Sequence, residues 1–368
     1  MRGSVQKKGS TYYAVIPLGN KRKWYKGGST KKDAQRVLNE KLFELNSGTY
    51  KEIPKITFKK FGELWLENYV ESNLKPSTIN GYKDIVQKKL SFLDGKFLSE
   101  ITTVQLQGYV ASRLRTVSAK TVSNEAMVMK QLFKYARKWG YIKVNPADDV
   151  VRPKTQETEI QILNPVEVRR LVEKADSLYK IAFLTAFLTG LRAGELWALK
   201  WSDIDWNSNR LFVNRSIWKG NFQKPKTKKS IRKVDLTQQL MSELKKWRLA
   251  CPLSDLDLIF PSVNGGTTNH INMMNRVFYP ALKRAGLRQV SFHSLRHSNA
   301  SIRIQGGQNI KYISEQLGHS SIRTTLDIYG HLFEDMNFTQ QQVQLLECSV
   351  EAFENGRSSR NCLEAVDL

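Results

Sequence analysis

The chain has 368 residues, 40% hydrophobic and 25% charged, which fits a globular protein of two or three domains and excludes a disordered or fibrous chain. Its 58 Lys and Arg outnumber its 34 Asp and Glu by 24, an excess that points to a polyanionic partner, nucleic acid before an acidic membrane surface. The longest apolar run, "IAFLTAFLTGL" at 181–191, is too short to cross a bilayer and predicts a buried helix, so no membrane role is expected. The charge is uneven: residues 1–60 hold 15 Lys and Arg against 4 Asp and Glu, and residues 333–368 hold 2 against 7. Cys251, Cys348 and Cys362 are odd in number, far apart and outside metal-ligand spacing. They predict a reducing cytoplasmic location with neither disulfides nor a bound metal. The opening "MRGSVQKKGS" has no apolar core of a secretory signal.

In chain order, "SVQKKG", "TYYAVIPL" and "KRKWYKGG" predict three short strands joined by Gly and Asn turns. Thr30 then caps a helix, with Asp33 at its third position and Ala34, Val37, Leu38, Leu42 and Leu45 as its apolar stripe. Lys7, Lys8, Lys21, Arg22, Lys23 and Lys26 are interleaved with Tyr12, Tyr13, Trp24 and Tyr25, a composition that suits a sheet entering a DNA groove. Some of these aromatics must also form the module's small core. A linker is expected at 46–55, followed by four helices to about Val144 and an exposed connector at 145–163. A second, mostly helical domain opens at Asn164, the N-cap, with Pro165 at the first helical position and Glu167 as the reciprocal cap. One β stretch interrupts it: "RLFVNRSIW" (210–218) and "IRKVDL" (231–236), separated by the basic "QKPKTKKS". The fold class is thus mainly α with small β elements.

Chemistry-bearing residues gather in the second half. In "LTGLRAGELWALKW", Arg192 follows a glycine turn at a helix start, braced by Glu195, while Leu196 and Leu199 face inward. A helix start is also where backbone amides favour an anion. In "SFHSLRHSNASIRI", His293 and Arg296 share one helical face. His293 and His297, four apart, could pair on zinc, but no glutamate base lies between them. Four lysines crowd the segment that holds Lys226, and spacing alone does not single one out. "LGHSSIRTTLDIYGH" brings His319, Tyr329 and His331 within fifteen residues. A phenol with a pKa near 10 is only ~0.1% ionised at neutral pH, so it becomes a nucleophile only when neighbours manage its proton.

Taken in order, "TGLRAGEL", "PKT", "HSLRHS", "LGHSS" and the tyrosine of "TTLDIYGHL" resemble the tyrosine recombinase (phage integrase) family, over nearly the whole chain. Ser298 departs from the threonine that the family often carries. The resemblance implies an arm-type DNA-binding domain at 1–50, a helical core-binding domain at 55–145, a mixed α/β catalytic domain at 160–335 and an acidic tail at 336–368 that contacts another protomer. It implies an enzyme that cuts and rejoins double-stranded DNA at attachment sites through a 3′-phosphotyrosyl intermediate, needing neither ATP nor any other cofactor, and integrates and excises a mobile element. Tyr329 would be the nucleophile, and Arg192 and Arg296 would bind the phosphate. His293 would move the tyrosine proton, Lys226 would protonate the leaving oxygen, and His319 would donate to a phosphate oxygen. The partners implied are further copies of the chain, as a tetramer on DNA, and an excision factor or host DNA-bending protein. Two alternatives share the motifs: a host chromosome-dimer resolvase, which usually lacks the basic front module, and a non-catalytic DNA-binding regulator, which would not need the Arg, His and Tyr set. His331 has no role that the sequence assigns.

Overall fold

The computed structural model describes residues 3–18, 21–48, 53–155, 160–224 and 230–330. It divides into two compact units, 1–157 and 158–368. The first unit begins with an antiparallel sheet in the order β1 (Ser4–Lys8), β2 (Thr11–Leu18), β3 (Lys21–Gly28), followed by helix α1 (Lys31–Asn46). Thr30 caps α1 by accepting the Asp33 amide. Ala14, Ile16 and Leu38 form the buried centre between sheet and helix, with Val5, Tyr25, Val37, Leu42 and Leu45 packed around them. Of the four strand aromatics, Tyr25 therefore serves this core, while Trp24 stays 46% exposed on the other face.

Four helices follow: α2 (Phe58–Trp65), α3 (Pro76–Asp84), α4 (Thr103–Leu114) and α5 (Ala119–Lys138). α2 and α3 each run on into a π-helical turn, Leu66–Glu71 and Ile85–Lys89. Phe58, Phe61, Trp65, Leu106, Met129 and Phe133 are fully buried among them, each large side chain stabilising the bundle by roughly 2–3 kcal/mol. The connector expected from 145 onward does not begin there. Asn145 and Ala147 are buried, Asn145 accepts the Ala147 amide, and Thr103 and Gln107 bond to Pro146 and Val151. Polar residues read as exposed are instead used to fasten the chain onto α4.

The second unit contains α6 (Pro165–Lys174), α7 (Ser177–Thr189), α8 (Ala193–Leu196), α9 (Gln238–Ala250), α10 (His270–Met273), α11 (Tyr279–Arg284), α12 (His293–Gln305), α13 (Ile310–Leu317) and α14 (Ile322–Tyr329). Asn164 and Glu167 form the predicted capping box, and the apolar run 181–191 lies mostly in α7, which buries Ala182, Phe183 and Ala186. Strands β4 (Ile204–Asp205), β5 (Arg210–Val213) and β8 (Arg232–Asp235) form one antiparallel sheet, and β6 (Ser216–Trp218) and β7 (Asn221–Gln223) a separate hairpin. The stretch 210–218 is therefore two strands in two sheets, not one. Arg215 turns aside to pair with buried Asp203 at 2.5 Å, which ends β5. Lys219 and Gly220 both take positive φ, the two-residue turn that folds β6 onto β7. Among the described residues no helix is long and apolar enough to cross a membrane.

Candidate active site

Glu195 lies at the centre of the site. It is 7% exposed and accepts from two arginines. Arg192, the N-cap of α8, gives it the backbone amide at 3.0 Å and Nη1 at 3.0 Å. Arg232 on β8 gives it Nη1 and Nη2 at 3.1 and 3.0 Å, a two-pronged pairing. Burial alone would raise the carboxyl pKa, but the Arg232 pair and then the charge of Arg192 outweigh it and hold Glu195 down at about 2. Arg232 also donates Nε to the Gln316 carbonyl at 2.7 Å. This ties β8 to α13.

Two glycines let these parts approach. Gly190, in the left-handed region after α7, presents its carbonyl to Arg296 Nη1 at 2.7 Å. A side chain there would sit 2.6 Å from Leu317 and 2.9 Å from Asn299. Gly318, also left-handed, ends α13 with its Cα against the Arg232 guanidinium, where a Cβ would meet three atoms at 2.8–2.9 Å. Its carbonyl accepts Arg192 Nη2 at 3.3 Å. Another residue at Gly318 would displace Arg232, and one at Gly190 would displace Leu317 and Asn299.

Helix α12 carries His293, Arg296 and His297. Arg296 is 2% exposed, and its Nη2 is buried without a hydrogen-bond partner. Burial first, and then the neighbouring Arg192 charge, lowers its pKa to about 9. Two guanidiniums thus pair with one carboxylate, and a third, Arg296, more deeply buried than either, has no carboxylate partner of its own among the described residues. A buried donor left unmade costs free energy unless a ligand completes it, and the ligand this one calls for is an anion.

His319 follows Gly318, with Nδ1 2.8 Å from the buried Thr325 hydroxyl. Burial, then the charges of Arg296, Arg192 and Arg232, pushes it down to about 3, so it is neutral. His293 is also lowered, by burial and then by His297 and Arg296. Tyr329 ends α14 at 2% exposure, packed with Ala300, Ile304, Ile313 and Leu317. Burial raises its phenol to about 12, opposed by the charge of Arg296. Its hydroxyl lies 2.7 Å from Nδ1 of His297.

Of the residues expected from the sequence, Arg192, Glu195, His293, Arg296, His319 and Tyr329 converge on this one region. Lys226, His331 and the acidic tail lie outside the described residues. Two residues of the site escaped the sequence reading. Arg232 shares the inward face of β8 with Val234, and a charge at an apolar strand position was its signal. His297 was weighed only as half of a zinc pair, whereas it contacts the tyrosine. Among the described residues no group of three ligating side chains is placed to hold a metal. The six N-terminal basic residues divide by strand alternation. Lys8, Arg22 and Lys26 share the open face with Tyr13 and Trp24, whose rings meet edge-on at 5.9 Å. Lys7, Lys21 and Lys23 fall on the α1 side, Lys7 over the Tyr12 ring and Lys23 over Tyr25.

Residues 161–336 match the model of the phage integrase family, and residues 57–113 match that of the phage integrase N-terminal SAM-like domain. A protein named tyrosine recombinase XerC-like, from Caldanaerobacter subterraneus, is 32% identical over 89% of this chain and 94% of its own length. The chain belongs to the phage integrase family of tyrosine recombinases. The ICEBs1 integrase of Bacillus subtilis is 29% identical over 83% of the chain and 87% of its own length. The fold is shared with the integrase of the transposon Tn1549, solved with a circular-intermediate DNA, at a TM-score of 0.68 and 18% identity over 79% of this chain and 99% of that one. The mainly helical class with small β elements is the architecture of these recombinases.

Proposed function

We propose that the chain is the integrase of a mobile element, breaking and rejoining double-stranded DNA at attachment sites through a 3′-phosphotyrosyl link to Tyr329. The observation that carries this reading is the unpaired Nη2 of buried Arg296 beside Arg192. Two guanidiniums, one of them without a counter-charge, suit a phosphodiester whose charge grows as a fifth oxygen approaches. His319, neutral and held by Thr325 at Nδ1, keeps Nε2 to donate to a phosphate oxygen. Lys226 is assigned as the acid that protonates the departing 5′ oxygen. Because the energy of the broken bond is kept in the tyrosyl ester, rejoining requires no ATP.

Residues 1–50 are assigned as the arm-binding module, 55–145 as the core-binding domain, 160–335 as the catalytic domain and 336–368 as a tail reaching a neighbouring protomer in a tetramer on DNA. The relation to the ICEBs1 integrase, over 83% of this chain and 87% of that one, favours a mobile-element enzyme over a host resolvase. The test is a nicked suicide duplex carrying the element's own ends. Wild-type protein should be trapped as a covalent adduct on a denaturing gel, and Tyr329→Phe should bind the same DNA without an adduct. An adduct in Tyr329→Phe would move the nucleophile elsewhere. Lys226→Ala should recover on a 5′-bridging phosphorothiolate, whose leaving group needs no proton; equal losses on both substrates would remove Lys226 from that role.

A further inference from the structure

We propose that His297, not His293, is the base that takes the phenolic proton of Tyr329 during cleavage and returns it on rejoining. The inference rests on Tyr329 being the nucleophile. Among the described residues, His297 makes the hydrogen bond to the phenol, Nδ1 to hydroxyl at 2.7 Å, with the two rings 5.7 Å apart and tilted by 59°. His293 lies one turn earlier on α12, its ring 4.7 Å from that of His297 and nearly perpendicular. It borders the base rather than the phenol.

The surroundings favour this direction of transfer. Burial, then the Arg296 charge, lowers His297 below the ordinary histidine value, so near pH 7 it is neutral. In the tautomer with the proton on Nε2, the Nδ1 lone pair faces the phenol. Arg296 and His293 on α12 and Tyr329 on α14 are the charged and titratable groups that face it, while Arg192 and Glu195 act on His293. As the Tyr329 oxygen bonds to phosphorus, its O–H bond breaks and the proton passes to Nδ1 of His297. The bond from phosphorus to the 5′ oxygen breaks in the same step, and that oxygen takes its proton from the acid assigned to Lys226. In rejoining, the 5′-hydroxyl attacks phosphorus and returns its proton to the group assigned to Lys226, the bond from phosphorus to the Tyr329 oxygen breaks, and the leaving phenolate recovers its proton from His297. An imidazolium of lowered pKa gives that proton back readily.

The experiment is single-turnover adduct formation on the nicked suicide duplex, from pH 5 to 9, by wild type, His297→Gln, His297→Ala and His293→Gln. Wild-type rates should fall on the acid side as His297 becomes protonated. His297→Gln can still hydrogen-bond but holds no proton, so it should lose about 10²-fold or more in rate, retain DNA binding and lose the acid limb. Imidazole added to His297→Ala should restore part of the rate, and His293→Gln should keep the acid limb. Adduct formation by His297→Gln at the wild-type rate or faster overturns the inference, because the hydrogen bond would then only store the tyrosine. A His297→Ala loss that imidazole does not relieve overturns it too. If wild type itself forms no adduct, the nucleophile assignment fails first, a result distinct from both.

Discussion

Each compact unit buries a glutamate and a tyrosine and pairs the glutamate with arginine, and the two sets differ in how their charges close. In the first unit, Glu125 is 3% exposed and accepts Tyr109 Oη at 2.7 Å and Arg113 Nε and Nη2 at 3.0 and 2.7 Å. One carboxylate meets one guanidinium, and the phenol faces a carboxylate that holds it protonated; burial and that carboxylate drive the Tyr109 pKa far upward. In the second unit, Glu195 faces two arginines with a third behind them, and Tyr329 faces a neutral imidazole. The first set is complete and serves packing. The second has spare positive charge and an imidazole beside its phenol, the two features that the proposed chemistry would use.

The strongest test of that contrast exchanges the two phenols for phenylalanine. Tyr329→Phe should abolish covalent adduct formation while the fold loses about 1 kcal/mol, the value of one hydrogen bond. Tyr109→Phe should do the reverse, lowering stability by about 2 kcal/mol through the lost bond to a charged acceptor and leaving adduct chemistry unchanged. Denaturant unfolding and the suicide-substrate gel separate the two effects. A Tyr109→Phe protein as inactive as Tyr329→Phe would erase the distinction.

The arginines sharpen it. Arg296→Ala and Arg192→Ala should each slow cleavage by roughly 10²–10³, with DNA binding far less affected. For Arg296→Ala the unfolding midpoint should hold or rise, because the change removes a buried charge with no carboxylate partner. Arg113→Ala strands Glu125 in the helical unit and should cost about 3 kcal/mol with no direct effect on the chemical step.

Acid tests the charge pairing of the two glutamates. Both carboxyl pKa values are lowered in the fold, Glu195 to about 2 from 4.5. A lowered carboxyl contributes stability that is present above the unfolded value and is lost as pH falls towards the folded one. For Glu195 the window runs from about 4.5 down to 2, and ~2 kcal/mol should be gone by pH 3. Glu195→Gln should start less stable near neutrality, since Arg192 and Arg232 lose their counter-charge, but its stability should fall less steeply across that window. Parallel curves for wild type and variant would show that Glu195 does not carry the linkage.

The motifs of the second unit were legible because each is a short, local signal: a glycine turn before Arg192, helical spacing from His293 to Arg296, and His319 with Tyr329 inside one fifteen-residue stretch. Asn164 with Glu167 and Thr30 with Asp33 were legible for the same reason, since a cap is settled within four residues. What escaped depends on contacts made across the chain. Arg232 matters through Glu195, 37 residues away, and His297 through Tyr329, 32 residues away. The break at Asn214 and Arg215 was hidden because its cause, Asp203, lies in another segment. Asn145 and Ala147 looked like connector because their polar neighbours find partners on α4 and α5.

The smallest effect tests the same idea of closed and open charge in the N-terminal sheet. Lys8, Arg22 and Lys26 share the open face with Tyr13 and Trp24, while Lys7 and Lys23 lie over rings on the α1 side. If the open face carries arm-site binding, each phosphate contact that it makes contributes about 0.9 to the slope of log affinity against log salt. Single alanine changes at Lys8, Arg22 and Lys26 should then each reduce the slope by up to about 1, with little change in unfolding. Changes at Lys7 and Lys23 should leave the slope alone and cost at most about 0.5–1 kcal/mol of cation–π contact. Equilibrium binding of the full chain to arm-site duplex across a salt series measures both. Equal slope changes from the two groups would mean that the module meets DNA along an edge rather than through one face, because only an edge exposes residues of both alternations at once.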